Sequence, residues 1–226
     1  MWRNMLKVAA ATAAFGVVHS LLASRAAKRA VQETFGERNR NGLYRVIFIG
    51  QSFATLAILA AYIRRHPSRE LYRVEGPLAW LMHAVHGGAL VYATAAAAQV
   101  GIRRITGIES LAAWSGDGVV PKEPEAQGPA LDEEGSRHPA GPFRFSRHPL
   151  NLAPIPILWL WPRMTTNLLA FNVVATAYLV AGSLHEEKPL RAEYGRRYDE
   201  YRESGVPYFM PGFPATALRA PHSIKE

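Results

Sequence analysis

Residues 46–63 read Val-Ile-Phe-Ile-Gly-Gln-Ser-Phe-Ala-Thr-Leu-Ala-Ile-Leu-Ala-Ala-Tyr-Ile, without a single Lys, Arg, Asp or Glu. A helix needs about 20 mostly apolar residues to cross a hydrocarbon layer of about 30 Å, and this run approaches that length. Working outward, residues 5–23 and 78–100 form two more such blocks, and after a long polar stretch come residues 150–161 and 167–184, separated by Pro162, Arg163 and Met164. The pattern predicts an all-α integral membrane bundle of about five transmembrane helices, the fourth short and kinked by Pro154 and Pro156, with an amphipathic cytoplasmic helix at the C-terminal end. A soluble bundle with Ala-rich core helices is the competing reading, but residues 8–23, 46–63 and 78–101 carry no charge and offer no solvated face. Trp80, Trp159 and Trp161 lie near block ends, where interfacial aromatics collect. Arg3 and Lys7 ahead of an Ala-rich run also suit a secretory signal, yet the run continues through residues 19–24 without a small-x-small cleavage site and further spans follow.

Composition narrows the function classes. With 49% hydrophobic and 19% charged residues among 226, the chain is not disordered, and with no Cys it has no disulfide, thiolate ligand or cysteine nucleophile. No metal is expected. The net charge of +8 flanks the apolar blocks, and Lys and Arg are not interleaved with base-stacking aromatics, which points to a lipid bilayer and away from nucleic acid. Placing the N-terminus outside puts six Lys and Arg in residues 24–45, six in 101–149 and seven in 185–226 on the inner side, against two, four and one on the outer side. By the positive-inside rule this expects loop 101–149 and the C-terminus in the cytoplasm, at a bacterial inner membrane, although Arg64, Arg65, Arg69 and Arg73 oppose it. Residues 1–100 are thus expected to form a three-helix membrane region, 101–145 a Gly-, Pro- and Glu-rich cytoplasmic loop, 146–212 a helical hairpin and tail carrying the site, and 213–226 a flexible tail.

The tetrapeptide Ser-Arg-His-Pro occurs twice, at 136–139 and 146–149, and only the second copy runs into an apolar block. There Arg147 and His148 stand at a helix start set by Pro149, and both can serve either chemistry or the headgroup region. The last block ends in His185-Glu186-Glu187-Lys188. Adjacent acids beside a membrane are costly unless partnered, so they are candidate ligands for a cation or hydroxyls, or dipole partners of a following helix. Glu187, Leu190, Tyr194, Tyr198 and Tyr201 share one helical face, and Pro189 suits the first turn of a new helix.

Gly141-Pro142-Phe143-Arg144-Phe145-Ser146-Arg147-His148-Pro149, then Glu186-Glu187, Leu190, Tyr194-Gly195, Tyr198, Tyr201, Val206-Pro207 and Pro211, resembles the isoprenylcysteine carboxyl methyltransferase and phospholipid methyltransferase superfamily over about residues 135–212. Through residues 19–24 and Tyr44-Arg45, the front half resembles the NnrU family and the methanethiol S-methyltransferases. The resemblance implies S-adenosylmethionine bound at the cytoplasmic face, with Phe143, His148, Pro149, Leu150, Asn151, Glu186 and Glu187 around the cofactor. It implies Arg147, His148 and Glu187 as the catalytic set, Arg147 pairing with a carboxylate of the cofactor or of Glu186. The acceptor would be a small or lipophilic thiol or hydroxyl compound, or a lipid. If it carries a proton, His148, His185 and His19 are the imidazoles available to take it.

This chain has Asn151 and Ala153 where the superfamily usually has Tyr and Gly, and it lacks the Arg that holds a substrate carboxylate a turn before the Glu pair. A carboxylate acceptor is therefore disfavoured. Two other readings stand beside the enzyme: a non-catalytic NnrU-type membrane protein linked to nitrogen-oxide respiration, and haem or quinone binding through His83 and His86. Two His three apart share one helix face and cannot supply opposite axial ligands, so haem would also need a partner such as His19.

Overall fold

The computed structural model describes residues 2–116, 118–122, 128–129 and 141–212. The first Ser-Arg-His-Pro copy and the tail from 213 lie outside them. Among the described residues three helices are long and apolar enough to cross a membrane: α1 (Trp2–Ala23), α3 (Glu37–Arg65) and α9 (Thr166–Tyr194). Their apolar windows are only 17%, 6% and 17% buried within the chain, so most of their hydrophobic surface faces outward. Leu6, Val17, Leu21, Ile47, Phe53 and Ile58 are all more than half exposed. A water-soluble bundle would hide these side chains; lipid solvates them, and the chain is a membrane protein whose regular structure among the described residues is helical apart from one small ribbon.

The fold separates into two compact units. Unit 1 comprises Met1–Ala84, Ile102–Glu123 and Leu158–Tyr178. Between α1 and α3 lies the short helix α2 (Arg25–Phe35), begun by Ser24, whose Oγ accepts from Ala27 N at 3.2 Å. After α3 the strand β1 (Glu70–Arg73) pairs antiparallel with β2 (Arg163–Thr165), pinned by Glu70, which accepts from Arg73 and Arg163. This ribbon departs from the strictly all-α expectation. The helix α4 (Pro77–Val100) starts in unit 1 and ends in unit 2; it is long enough to span, but His83, His86, Gly87 and Gly88 dilute its apolar character.

Next come α5 (Ile102–Ile105) and α6 (Ile108–Ser115), where composition indicated loop; Ile102, Ile105, Ile108, Leu111 and Trp114 supply the apolar residues that a helix needs. Close packing in unit 1 depends on two helical glycines. A Cβ at Gly42 would collide with Trp114, and one at Gly16 would meet the Tyr178 ring at 2.8 Å.

Unit 2 comprises Val85–Gly101, Pro124–Ile157 and Leu179–Glu226. The block expected as a fourth span is not one helix but two short ones, α7 (Pro149–Leu152) and α8 (Pro154–Trp159). Pro154 and Pro156 lack amide hydrogens, so the ladder is interrupted rather than merely kinked. In contrast α9 does not restart at Pro189, which lies inside it. The break comes at Gly195, whose φ of 56° suits a residue without Cβ and turns the chain into α10 (Arg196–Glu203). Leu190, Tyr198, Tyr201 and Val206 close a small core there, with Tyr194 against it.

Candidate active site

All of the site lies in unit 2. A 3-10 turn over Gly141–Arg144 leads into residues 145–148, which are strapped by residues 206–212. Arg147 N donates to Pro207 O at 2.9 Å, Gly212 N to Phe145 O at 3.0 Å, and Ser146 Oγ to Phe209 O at 2.8 Å. The Ser146 oxygen in turn accepts from His148 N at 3.1 Å. Tyr201 OH reaches Phe143 O at 2.7 Å, and Tyr92 OH reaches Pro142 O at 3.2 Å. These bonds use up the polar backbone of an otherwise irregular segment and fix where the next two side chains emerge.

Those side chains meet the polar extension of α9, beyond the apolar part that ends at Leu184. Glu187 Oε1 accepts from His148 Nε2 at 2.8 Å, Tyr198 OH at 2.9 Å and Arg147 Nε at 3.1 Å, while Arg202 Nε stands 3.3 Å from Oε2. Glu186 Oε2 faces His148 Nδ1 at 3.3 Å and accepts from Asn151 Nδ2 at 3.1 Å. Asn151 Nδ2 also donates to Ser183 Oγ at 2.9 Å, whose own proton goes to Leu179 O. Arg147 further donates to Val206 O at 3.1 Å and lies 5.6 Å over the Tyr208 ring, which stands edge-on to His148. Two stretches 40 residues apart are thus joined by ionic hydrogen bonds.

Burial opposes ionisation of Glu187, but the His148 and Tyr198 hydrogen bonds and the Arg147 charge outweigh it and hold its carboxyl down to about 2. Burial likewise opposes protonation of His148, and the bonds and charges of Glu186 and Glu187 overcome it, raising its pKa above 6.5. Geometry says the same. A carboxylate at each ring nitrogen requires a proton on both, which only the imidazolium has. Burial first, then the Glu187 charge and hydrogen bond, pushes the Tyr198 hydroxyl well above the usual phenol range, so it stays a neutral donor.

Of the residues singled out in the sequence, the structure brings Arg147, His148, Asn151, Glu186 and Glu187 together. Arg147 pairs with Glu187 and not with Glu186. The side chains of Phe143 and Pro149 are buried, and Leu150 is about one-third exposed. His148 is buried, with Glu187 at its Nε2 and Glu186 at its Nδ1. The motif did not disclose Arg202, which closes on Glu187, nor a cavity of about 340 Å³ lined by Arg147, Arg191, Arg202, Asp199 and Glu203. Arg202 lies four residues past Tyr198, on the same face of α10, and that spacing was the available signal.

Fold and site together define a helical membrane protein with an ion-paired polar centre next to the end of a long apolar helix. Comparison with curated proteins gives that class a more particular likeness. The chain is 38% identical over 69 residues to methanethiol S-methyltransferase 2 of Bradyrhizobium diazoefficiens, covering 30% of this chain and 26% of that protein. It is 36% identical over 69 residues to the methanethiol S-methyltransferase of Crocosphaera subtropica, 30% and 27% of the two chains, and 30% identical over 80 residues to that of Pseudomonas deceptionensis, 35% and 30%. The match spans between a quarter and a third of the length of these relatives. The similarity to methanethiol S-methyltransferases read from the motifs is therefore present. No family model matches the chain, and no solved structure does.

Proposed function

We propose that this protein is a membrane methyltransferase that moves a methyl group from S-adenosylmethionine to a small thiol, at a site centred on Glu187. The observation that carries the reading is the similarity to relatives named methanethiol S-methyltransferases; the ion-paired cluster around Glu187 supports locating the reaction there. The donor set suits the cofactor. The cavity beside Arg147 presents guanidinium groups (Arg147, Arg191, Arg202) and carboxylates (Asp199, Glu203), as a zwitterionic amino-acid end requires, and Glu186 keeps its side chain 56% exposed to accept from an ammonium or from hydroxyls. When bound, the cofactor supplies an electrophilic methyl on a sulfonium.

The chain's own residues act by positioning and exclusion. Glu187 locks Arg147 and His148 at the start of α7 as cations, which fixes the local positive field. Asn151 orients Glu186. With both ring nitrogens of His148 committed, that imidazole does not take the proton of the thiol, so the acceptor reacts as thiolate, and turnover rises with pH toward the acceptor's own pKa. The finer topology follows the charge count: five membrane segments, with α10 and the Glu187 cluster at the cytoplasmic surface of an inner membrane. Calorimetry on the purified protein tests the cofactor. The wild type binds S-adenosylmethionine and Glu187→Ala does not; no binding by the wild type refutes the reading.

A non-catalytic reading draws on Asn151, which stands where the related enzymes have Tyr and occupies a lone pair of Glu186. Turnover on any thiol excludes it.

A further inference from the structure

Unit 1 contains a buried guanidinium that pairs with no acid among the described residues. Arg40 is 7% exposed and Asn41 4%, and Arg40 Nη1 donates to Asn41 Oδ1 at 2.6 Å. Arg40 Nε is buried without a hydrogen-bond partner, and no Asp or Glu among the described residues pairs with this side chain. Arginine does not shed its proton in a protein, so the charge is permanent, and a buried permanent charge without a counterion is strongly unfavourable. Its surroundings add positive potential. Arg38 donates to the carbonyls of Trp114, Gly116 and Gly118; carbonyls satisfy its N–H groups but leave its charge in place. The α3 helix begins after Gly36 with no side-chain cap, so its positive dipole end is uncompensated by a capping oxygen. Glu37, the acid of that first turn, is exposed and forms no ion pair with Arg40 among the described residues.

Depth and the neighbouring helix indicate the source of the missing anion. Arg40 precedes the apolar run of α3, which begins at Val46, by six residues, or about 9 Å of helix, which is headgroup distance from the hydrocarbon edge. Directly before it, α2 carries Arg25, Lys28, Arg29 and Gln32 on one face and Ala27, Ala30, Val31 and Thr34 on the opposite one. None of α2 is buried and Phe35 is 64% exposed. A short helix with a basic and an apolar face and no buried residue is suited to lie in the plane of an anionic lipid surface. We propose that Arg40 and Asn41 form a binding site for the phosphate of a phospholipid headgroup, held by charge-assisted hydrogen bonds at the start of α3. This site does not depend on the methyltransferase reading.

Native mass spectrometry of the full chain, released from detergent after titration with phosphatidylglycerol or with phosphate-free monogalactosyldiacylglycerol, tests the assignment. The wild type retains the phospholipid and not the galactolipid. Arg40→Gln and Asn41→Ala weaken retention, Arg40→Gln by about tenfold or more, whereas Arg29→Gln on the exposed face changes it less than about twofold. Equal retention by wild type and Arg40→Gln overturns the proposal. In a second arm inorganic phosphate is added to lipid-stripped wild type. If millimolar phosphate raises the melting temperature as much as the lipid does and displaces it fully, the ligand is free phosphate and the lipid assignment fails. Should Arg40→Gln not fold, wild-type melting decides: a shift with phosphatidylglycerol and none with the galactolipid supports the site, and equal shifts overturn it.

Discussion

Removing the charge of Glu187 while keeping its shape, by Glu187→Gln, isolates what holds the two halves of the site together. In the folded chain the carboxyl group falls from an ordinary 4.5 to about 2. At about 1.36 kcal/mol per pH unit the fall corresponds to about 3 kcal/mol of folding stability at neutral pH; screening on the open side of the cluster lowers this to about 2–3 kcal/mol. The variant also leaves Arg147, whose side chain is 13% exposed, and His148, at 2%, without their main counterion. For a chain of this size the destabilisation lowers the melting temperature by about 5–10 °C, read by differential scanning fluorimetry in detergent at pH 7. The same charge is absent from the wild type in strong acid. Its contribution is fully present above pH 4.5 and is lost as pH falls toward 2, so the wild type and Glu187→Gln converge there. A difference under about 1 °C at pH 7, or one that persists unchanged at pH 3, refutes the assignment of Glu187 as the anionic centre of the cluster.

Other outcomes follow from the same geometry. Because His148 has a raised pKa, its contribution is complete below pH 6.5 and disappears as pH rises through the folded value; His148→Asn should flatten the alkaline limb of the wild-type stability profile. Tyr198→Phe deletes one donor to Glu187 and lowers stability by about 1–2 kcal/mol, visible as a lower melting temperature at pH 7 but not in strong acid. Gly16→Val forces its side chain into the Tyr178 ring, which a Cβ would already approach to 2.8 Å, and is expected to cost about 1–3 kcal/mol in thermal unfolding. Asn151→Tyr, which restores the residue usual in the related enzymes, frees Ser183 and Glu186 and is expected to tighten S-adenosylmethionine binding in calorimetry; unchanged affinity argues that Glu186 does not touch the cofactor.

The membrane character was legible because it depends on composition over long windows, and the outward-facing Leu, Ile and Phe side chains of α1 and α3 express it directly. Helix ends were harder to read. Pro189 suggested a restart and lies within α9, because a single lost amide bond is tolerated where neighbouring turns persist, while Gly195 ends the helix through a φ that no other residue type adopts cheaply. The pair of prolines at 154 and 156 had the opposite outcome, dividing a block read as one span into α7 and α8. Residues 102–115 looked like loop because Gly and charge surround a short apolar pattern, and packing against α3 at Gly42 supplies the helical stability that propensity alone does not. In the site, the pairing of the Arg147-His148 step with Glu186-Glu187 came from motif order. Which acid takes which base did not, since that depends on side-chain directions at two helix ends, and the contribution of Arg202 depends on the turn at Gly195 that folds α10 back.

The most direct test of the central claim supplies purified protein in nanodiscs with methyl-deuterated S-adenosylmethionine and methanethiol and analyses the headspace by gas chromatography and mass spectrometry. Methyl transfer at the Glu187 site predicts dimethyl sulfide carrying one trideuterated methyl, formed faster as pH rises and absent with Glu187→Ala. No labelled thioether from folded wild-type protein, or undiminished formation by the variant, contradicts it.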